Sequence, residues 1–386
     1  MMMTLQAEAL LREASAASGL EDFGPDTFRE PLRRLVHALN TEARLSADGL
    51  RAQHARLVGL LVNRLRVEEV YRLHPEIDSE EIAVAVCIVG LPRTGTTMLH
   101  KVLSSDTRFL FPRFHEVRHP VAPDSLRAGA PDDRIAQVEA ELKWIVATSP
   151  ELAAIHPLSS TGAEEEIGLI EHSFYSTSPE AFNYVPEFGR WLGAQDNRPG
   201  YSYLLRLLRL LQWQKRRAGE QVGPWLLKSP HHLHYLDLLL ECFRDARIVL
   251  THRDPVQTLP SYASMIVALN HLGCETVDPV AVGAYVLERF AASLERATAI
   301  RDQFPERFMD VAYRDCVNQP LEVLRRLYAA IGMPFTAAVE VAMESWLEEN
   351  RRDKRAAHHY AAADYGYTDA GLAQSFAAYR QRFLQN

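Results

Sequence analysis

"AVAVCIVGLPRTGTTMLHKVL", residues 83–103, decides the fold. Its first seven residues are a continuous apolar run rich in β-branched side chains, the pattern of a strand buried on both faces, and Gly90 bounds it. Met98, Leu99, Val102 and Leu103 then recur at helical spacing. Between strand and helix, Gly90-Leu91-Pro92-Arg93-Thr94-Gly95-Thr96-Thr97 has the spacing of the phosphate-binding loop GxxxxGK[ST]. Glycines in such a loop let successive backbone N–H groups point inward, and the helix N-terminus adds partial positive charge, so an anion can be held by the backbone itself. Thr96 stands where a nucleotide triphosphatase carries its lysine, which removes a principal charge partner of γ-phosphoryl transfer. Arg93 supplies a cation inside the loop instead, and Thr94, Thr96 and Thr97 add hydroxyls. A ligand-free glycine turn is the plain alternative.

The same alternation returns three times. "GPWLLKSP" (223–230) reads as a short strand and a polar turn before a helix carrying Leu233, Leu236, Leu239, Leu240 and Phe243. "ARIVLTHRDP" (246–255) gives a strand over Ile248–Thr251, with Asp254 as N-cap and Pro255 at the first helical position. "FMDVAYRDCVNQPLEVLRRLYAAIG" (308–332) gives a fourth strand and a helix that Pro320 opens and Gly332 closes. The pattern predicts an α/β fold, a P-loop-type, mainly parallel sheet flanked by helices, with ligand sites at the carboxyl ends of the strands.

Residues 1–82 carry only helical periodicity, as in Leu32, Leu35, Val36, Leu39 and Leu57, Leu60, Leu61, Leu65, until "HPEIDSEE" breaks it. They are expected to form an N-terminal helical segment packed on the core. The main domain then spans 83–386, with a helical insertion around 125–222. Phe114, Phe174, Tyr175, Phe182, Tyr184 and Trp191 are candidates for an apolar pocket or for plain core.

The chain has 386 residues, 47% of them hydrophobic, and a formal net charge of -8, so nothing general attracts nucleic acid or an anionic membrane. An anionic ligand needs a local cluster of donors. Cys87, Cys242, Cys274 and Cys316 lie far apart and read as buried small hydrophobes of a reducing compartment. The start lacks the basic and apolar regions of a signal peptide, and no apolar run is long enough to span a membrane, so a cytoplasmic protein is expected.

Arg253 ends the third strand, and Ser261 lies eight residues later in the following helix, where both can meet one phosphate. Alone, Arg253 could equally be a surface residue or a partner of Asp254. Together the loop and this pair resemble the sulfotransferases that use 3'-phosphoadenosine 5'-phosphosulfate (PAPS), more closely the bacterial members than the cytosolic aryl enzymes. GLPRTGTTML is similar to that family's loop for the 5'-phosphosulfate and to the PRSGTT of tyrosylprotein sulfotransferases. THRDP with Ser261 is similar to its 3'-phosphate motif, and "VAYRDCVNQP" extends the likeness to residue 320. The resemblance implies that Arg93, Thr94, Gly95, Thr96 and Thr97 hold the 5'-phosphosulfate, that Arg253 and Ser261 hold the 3'-phosphate, and that Tyr313 contacts the nucleotide. The product nucleotide would be 3'-phosphoadenosine 5'-phosphate (PAP). Two departures stand out: Arg93 replaces the aryl enzymes' loop lysine, and Lys228-Ser229-Pro230 replaces the "KTH" that carries their catalytic histidine.

"PRFHEVRHPVAP" (112–123) contains the HExxH spelling of a zinc hydrolase in His115, Glu116 and His119. Pro112, Pro120 and Pro123 argue against the regular helix such a site needs, so a proline-framed loop with solvated histidines and no metal is expected. In tyrosylprotein and carbohydrate sulfotransferases a glutamate some twenty residues past the loop is the base, which implies that role for Glu116, with a pKa raised in a desolvated pocket. Arg93 and Lys228 would stabilise the departing phosphate. His115, His119 and His231 are reserve bases. Glu164, Glu165 and Glu166 read as a solvated helix face or a pocket wall, and Lys228 could instead snorkel to solvent. Arg351, Arg352, Lys354 and Arg355 mark either a segment closing over the nucleotide or a solvated basic turn. The implied activity is sulfuryl transfer to the hydroxyl of a small alcohol or phenol. A P-loop kinase and an inactive PAP-binding protein are the alternatives.

Overall fold

The computed structural model describes residues 4–123, 131–148, 159–350 and 360–384. Four parallel strands, β1 (Val84–Gly90), β2 (Trp225–Lys228), β3 (Arg247–His252) and β4 (Phe308–Ala312), form one sheet in the order β2-β1-β3-β4. The register sets Ile88 beside Lys228, Gly90 beside Thr251, and Thr251 beside Val311. Parallel strands need crossover connections, and helices on both faces supply them. The four carboxyl ends therefore lie at one edge, where the chain continues into the 91–95 loop, Ser229, Arg253 and Tyr313.

Alternate residues of each strand enter opposite cores, as a period of two demands. Cys87, Val89, Trp225, Leu227, Ile248 and Leu250 pack on one face with the helix Arg198–Arg217. Val86, Ile88, Leu226, Val249 and Met309 pack on the other with the helices Thr96–Leu103, Pro320–Ala330 and Ala337–Glu349. The third-strand boundary is the predicted one: the Asp254 carboxylate accepts the Val256 N–H at 3.0 Å, and Pro255 opens the helix Pro255–His271.

The N-terminal helices Ala7–Ser18, Arg29–Thr41 and Ala47–Leu73 form a cluster of their own. Leu10, Leu32, Leu57 and Leu61 meet Phe174, Val185, Phe188 and Leu192 there, each burial stabilising by roughly 1.5–3 kcal/mol. The Ala47–Leu73 helix, about 40 Å long at 1.5 Å per residue, also sends Val67 and Tyr71 into the sheet-face core. It thus joins the N-terminal cluster to the sheet. Within the stretch expected to be a helical insertion, the described residues form the helices Asp133–Thr148, Ile167–Glu171, Ser178–Phe182, Pro186–Gly193 and Arg198–Arg217. The basic run Arg351, Arg352, Lys354 and Arg355 lies outside the described residues.

Candidate active site

The loop after β1 is tied down from below. Thr94 Oγ1 bonds the Leu91 carbonyl at 2.6 Å and Thr251 Oγ1 on β3 at 2.6 Å. A Cβ at Gly90 would sit 2.2 Å from that same Thr251 hydroxyl, so glycine is required there for the close approach of loop and strand. Thr94 is fully buried, and its hydroxyl, expected to face a ligand, is instead consumed in holding the loop. Above it the backbone enters the left-handed region twice, at Arg93 (φ 70°) and Gly95 (φ 91°). Left-handed backbone at a non-glycine residue costs about 1–2 kcal/mol and persists where surrounding contacts impose it. Arg253 supplies one such contact, donating from Nη1 to the Arg93 carbonyl at 2.9 Å.

The two distant motifs therefore meet. Arg93 Nε donates to Ser261 Oγ at 3.3 Å, the Arg253 guanidinium lies 4.1 Å from the centre of the Tyr313 ring, and a Cβ on Gly95 would fall 3.3 Å from that ring. Residues after β1, β3 and β4 thus converge on one corner of the sheet edge. They line a cleft of about 2430 Å³, together with Thr96 and Thr97 at the start of the Thr96–Leu103 helix. An anion there would face a helix N-terminus, two guanidinium groups, hydroxyls and an aromatic ring. This donor set fits a nucleotide bearing two separated phosphate groups.

The cation missing from the loop's lysine position arrives from the neighbouring strand. Lys228, at the end of β2, is 2% exposed and does not snorkel. Its ammonium ion-pairs with Glu165 and donates to Thr97 Oγ1 at 3.3 Å, and its backbone N–H donates to Glu166 Oε2 at 2.9 Å. The glutamate run is not a solvated face. Glu166 is fully buried and binds His232 Nε2 at 2.6 Å, while Glu164 and Glu165 line the cleft.

Glu116 corrects the expectation made for it. It is no part of the cleft wall. The segment is not a loop but one helical turn, Phe114–Arg118, in which the Glu116 carboxylate accepts the Arg113 N–H at 2.8 Å and ion-pairs with the buried Lys215. Burial pushes its pKa up, but the charges of Lys215 and Arg113 outweigh burial and hold it below the ordinary carboxylate value. Sealed off at 4% exposure, it presents no face to the cleft.

Of the histidines beside Glu116, expected to be solvated, His115 is not and His119 keeps a face on the cleft. His115 is buried and donates from Nδ1 to the Ser160 carbonyl at 2.8 Å, and His119 Nε2 lies 3.6 Å from Glu141. Among the described residues, the grouping with metal-ligand geometry is Cys87, Glu166 and His232, and its imidazole is already bonded on both nitrogens, to Glu166 at 2.6 Å and Tyr201 Oη at 2.8 Å. His231 accepts from Thr177 Oγ1 at 3.1 Å, and burial lowers its pKa well below that of a free imidazole. The aromatic candidates divide: Phe114, Phe182 and Tyr184 line the cleft, whereas Phe174, Tyr175 and Trp191 belong to the N-terminal core.

A family model describing the sulfotransferase family matches residues 85–337, two thirds of the chain, including all of β1 but its first residue and every cleft residue named above from Arg93 to Tyr313. The chain belongs to the sulfotransferase family. Among solved structures, the sulfotransferase STF1 of Mycobacterium tuberculosis superposes with a TM-score of 0.84 at 28% identity, covering 97% of this chain and 99% of that one. The sulfotransferase STF9 of Mycobacterium avium does so with a TM-score of 0.87 at 26% identity, covering 100% and 98%. The omega-hydroxy-beta-dihydromenaquinone-9 sulfotransferase Stf3 of Mycobacterium bovis is 27% identical over 257 residues, 64% of this chain. The match spans 62% of that relative's length. No helix among the described residues is long and apolar enough to cross a membrane. The four cysteines are free, and three of them are buried.

Glu165 was the cleft residue least visible in the sequence. Its signal was the run Glu164-Glu165-Glu166 itself. The three precede the helix Ile167–Glu171 on irregular backbone, which sends Glu166 into the core and leaves Glu164 and Glu165 on the cleft.

Proposed function

We propose that this chain moves the sulfuryl group of PAPS to the hydroxyl of a small-molecule acceptor in the cytoplasm. The observation that carries the reading is the convergence of Arg93, Arg253, Ser261 and Tyr313 on a cleft that also holds a lysine–glutamate pair beside Thr97. PAPS, when bound, supplies an activated sulfuryl group whose leaving group is a phosphate. Arg253 and Ser261 hold the 3'-phosphate, and Tyr313 flanks the nucleotide. Arg93 and the N–H groups of Gly95, Thr96 and Thr97 hold the 5' end, with the helix N-terminus adding to their field.

Glu165 takes the acceptor's proton. Its carboxylate is on the cleft wall, and Lys228 beside it reaches Thr97, so one ammonium serves both the base and the phosphate end. Glu166, holding the Lys228 N–H, and Thr94, holding the loop, position these groups without touching substrate. The name of the Stf3 relative refers to a hydroxylated menaquinone derivative, which favours an alcohol acceptor here.

The test is incubation with PAPS and a panel of alcohols and phenols, read by the mass shift of a sulfate ester. A sulfated product with stoichiometric PAP is expected. Turnover of ATP without turnover of PAPS would overturn the reading in favour of a kinase.

A further inference from the structure

The C-terminal helix Ala377–Phe383 contributes nothing to the cleft wall, yet it grips both neighbours of Arg253. On one side, His252 ends β3 as a buried imidazole. Asp310 on β4 accepts from its Nε2 at 2.9 Å, which in the neutral ring leaves Nδ1 to accept the Tyr379 hydroxyl at 2.9 Å. Phe383 stacks on the same ring, with 4.2 Å between centroids and 9° between planes. On the other side, Asp254 divides its carboxylate. Oδ1 caps the helix Pro255–His271 through the Val256 N–H, and Oδ2 accepts from Arg380 Nη2 at 3.0 Å and Nε at 3.3 Å. Arg253 is the single residue between these two anchored neighbours.

The helix has other contacts to keep it docked. Leu372 and Phe376, just before it, are buried in the sheet-face core, and Tyr367 Oη donates to the Gly283 carbonyl at 2.7 Å. Arg382 on the same helix ion-pairs with Asp302, which touches neither His252 nor Asp254. What Tyr379 and Arg380 add is a fixed turn under Arg253. A long arginine side chain costs entropy to order, and a binding constellation must be held within about 0.5 Å and 10–20°. The Arg93 carbonyl and the Tyr313 ring steady the guanidinium, and the clasped turn fixes the backbone from which it reaches them.

Resting on the reading in which Arg253 holds the 3'-phosphate of PAPS, we infer that Tyr379 and Arg380 are positioning residues for that phosphate, acting through His252 and Asp254 to fix the turn that carries Arg253.

Calorimetric titration with PAP and with 5'-AMP tests this, since 5'-AMP lacks the 3'-phosphate. Tyr379→Phe and Arg380→Gln should each weaken PAP binding by about three- to tenfold and 5'-AMP binding by less than about twofold, and Arg380→Lys should recover part of the loss. Arg382→Gln should leave the PAP-to-5'-AMP affinity ratio at its wild-type value. In an Arg253→Ala background neither Tyr379→Phe nor Arg380→Gln should lower PAP affinity further, because their effect runs through the side chain already removed. Tyr379→Phe keeps the ring in the core and the Arg380 side chain is 37% exposed, so thermal melts should show both variants folded. Unchanged PAP affinity, equal losses for PAP and 5'-AMP, a like loss from Arg382→Gln, or the same PAP loss without Arg253 would overturn the inference while leaving sulfuryl transfer intact. A wild-type protein that binds PAP no tighter than 5'-AMP would sink the PAPS reading itself and this inference with it.

Discussion

Glu116–Lys215 and Glu165–Lys228 are the same chemical pair in two settings. In the first, both side chains are closed off, at 4% and 3% exposure, and the carboxylate also caps the turn that carries it. In the second, the lysine is equally buried, at 2%, but the glutamate keeps 18% exposure and lines the cleft. A buried pair sealed on every side adds little net stability, since desolvation cancels most of the attraction. One that keeps a face open can exchange a proton. Role follows from which surface a carboxylate retains, not from its distance along the chain from the phosphate loop.

The largest effect expected is on chemistry at the open pair. Glu165→Gln should slow sulfate-ester formation by about two to four orders of magnitude while PAP affinity stays within a few fold. Single-turnover rates at saturating PAPS measure this, and a wild-type rate would return the base to another residue.

At the closed pair the effect moves from rate to stability. Glu116→Gln leaves Lys215 buried without its carboxylate and should destabilise by about 3–5 kcal/mol in denaturant melts. The folded fraction should keep near-normal turnover. Adding Lys215→Met should recover most of the loss, because an apolar replacement of a buried ion pair is often neutral or better. No recovery would mean that the pair carries more than its own burial.

Arg253→Ala should weaken PAP binding by about tenfold to a hundredfold, the range of one lost charge-assisted contact, with a smaller loss for Arg253→Lys. Calorimetric titration reads this directly.

The effects of pH are read on the folded state as a whole rather than at one pair. Burial lowers the pKa of His100 from 6.5 to about 3 and that of His172 from 6.5 to about 4. In that window the unfolded chain binds protons that the folded chain refuses, so stability is complete above pH 6.5 and declines below it, by about 1.4 kcal/mol per unit and group. Glu116, depressed from 4.5, adds its own loss only at lower pH still, as its carboxylate protonates. Melting temperatures should therefore fall from pH 7 downward, and Glu116→Gln should shallow only the part of the fall below about pH 4.5, where Asp106, Asp132 and Asp310, also held below their ordinary values, lose stability alongside it.

The sheet was legible because strands buried on both faces write continuous apolar runs, and Gly90, Asp254-Pro255 and Pro320 punctuate them with local chemistry. The convergence of Arg93, Arg253 and Tyr313 on one corner follows from the same signals, since each lies just past a strand end. What escaped was long-range pairing. Lys215 lies 99 residues from Glu116 and Thr251 lies 157 from Thr94, and no spacing rule links them. The prolines around 112–123 argued for a loop, but a carboxylate reaching back to the Arg113 N–H was enough to close one helical turn.

The most direct measurement compares the binding of PAP, 5'-AMP and ATP to the wild-type protein by calorimetry. If the loop after β1 and the Arg253–Ser261 pair grip the two ends of one nucleotide, PAP should bind at least about a hundredfold tighter than 5'-AMP, which lacks the 3'-phosphate, and tighter than ATP. Equal affinity for PAP and 5'-AMP, or a preference for ATP, would contradict the account.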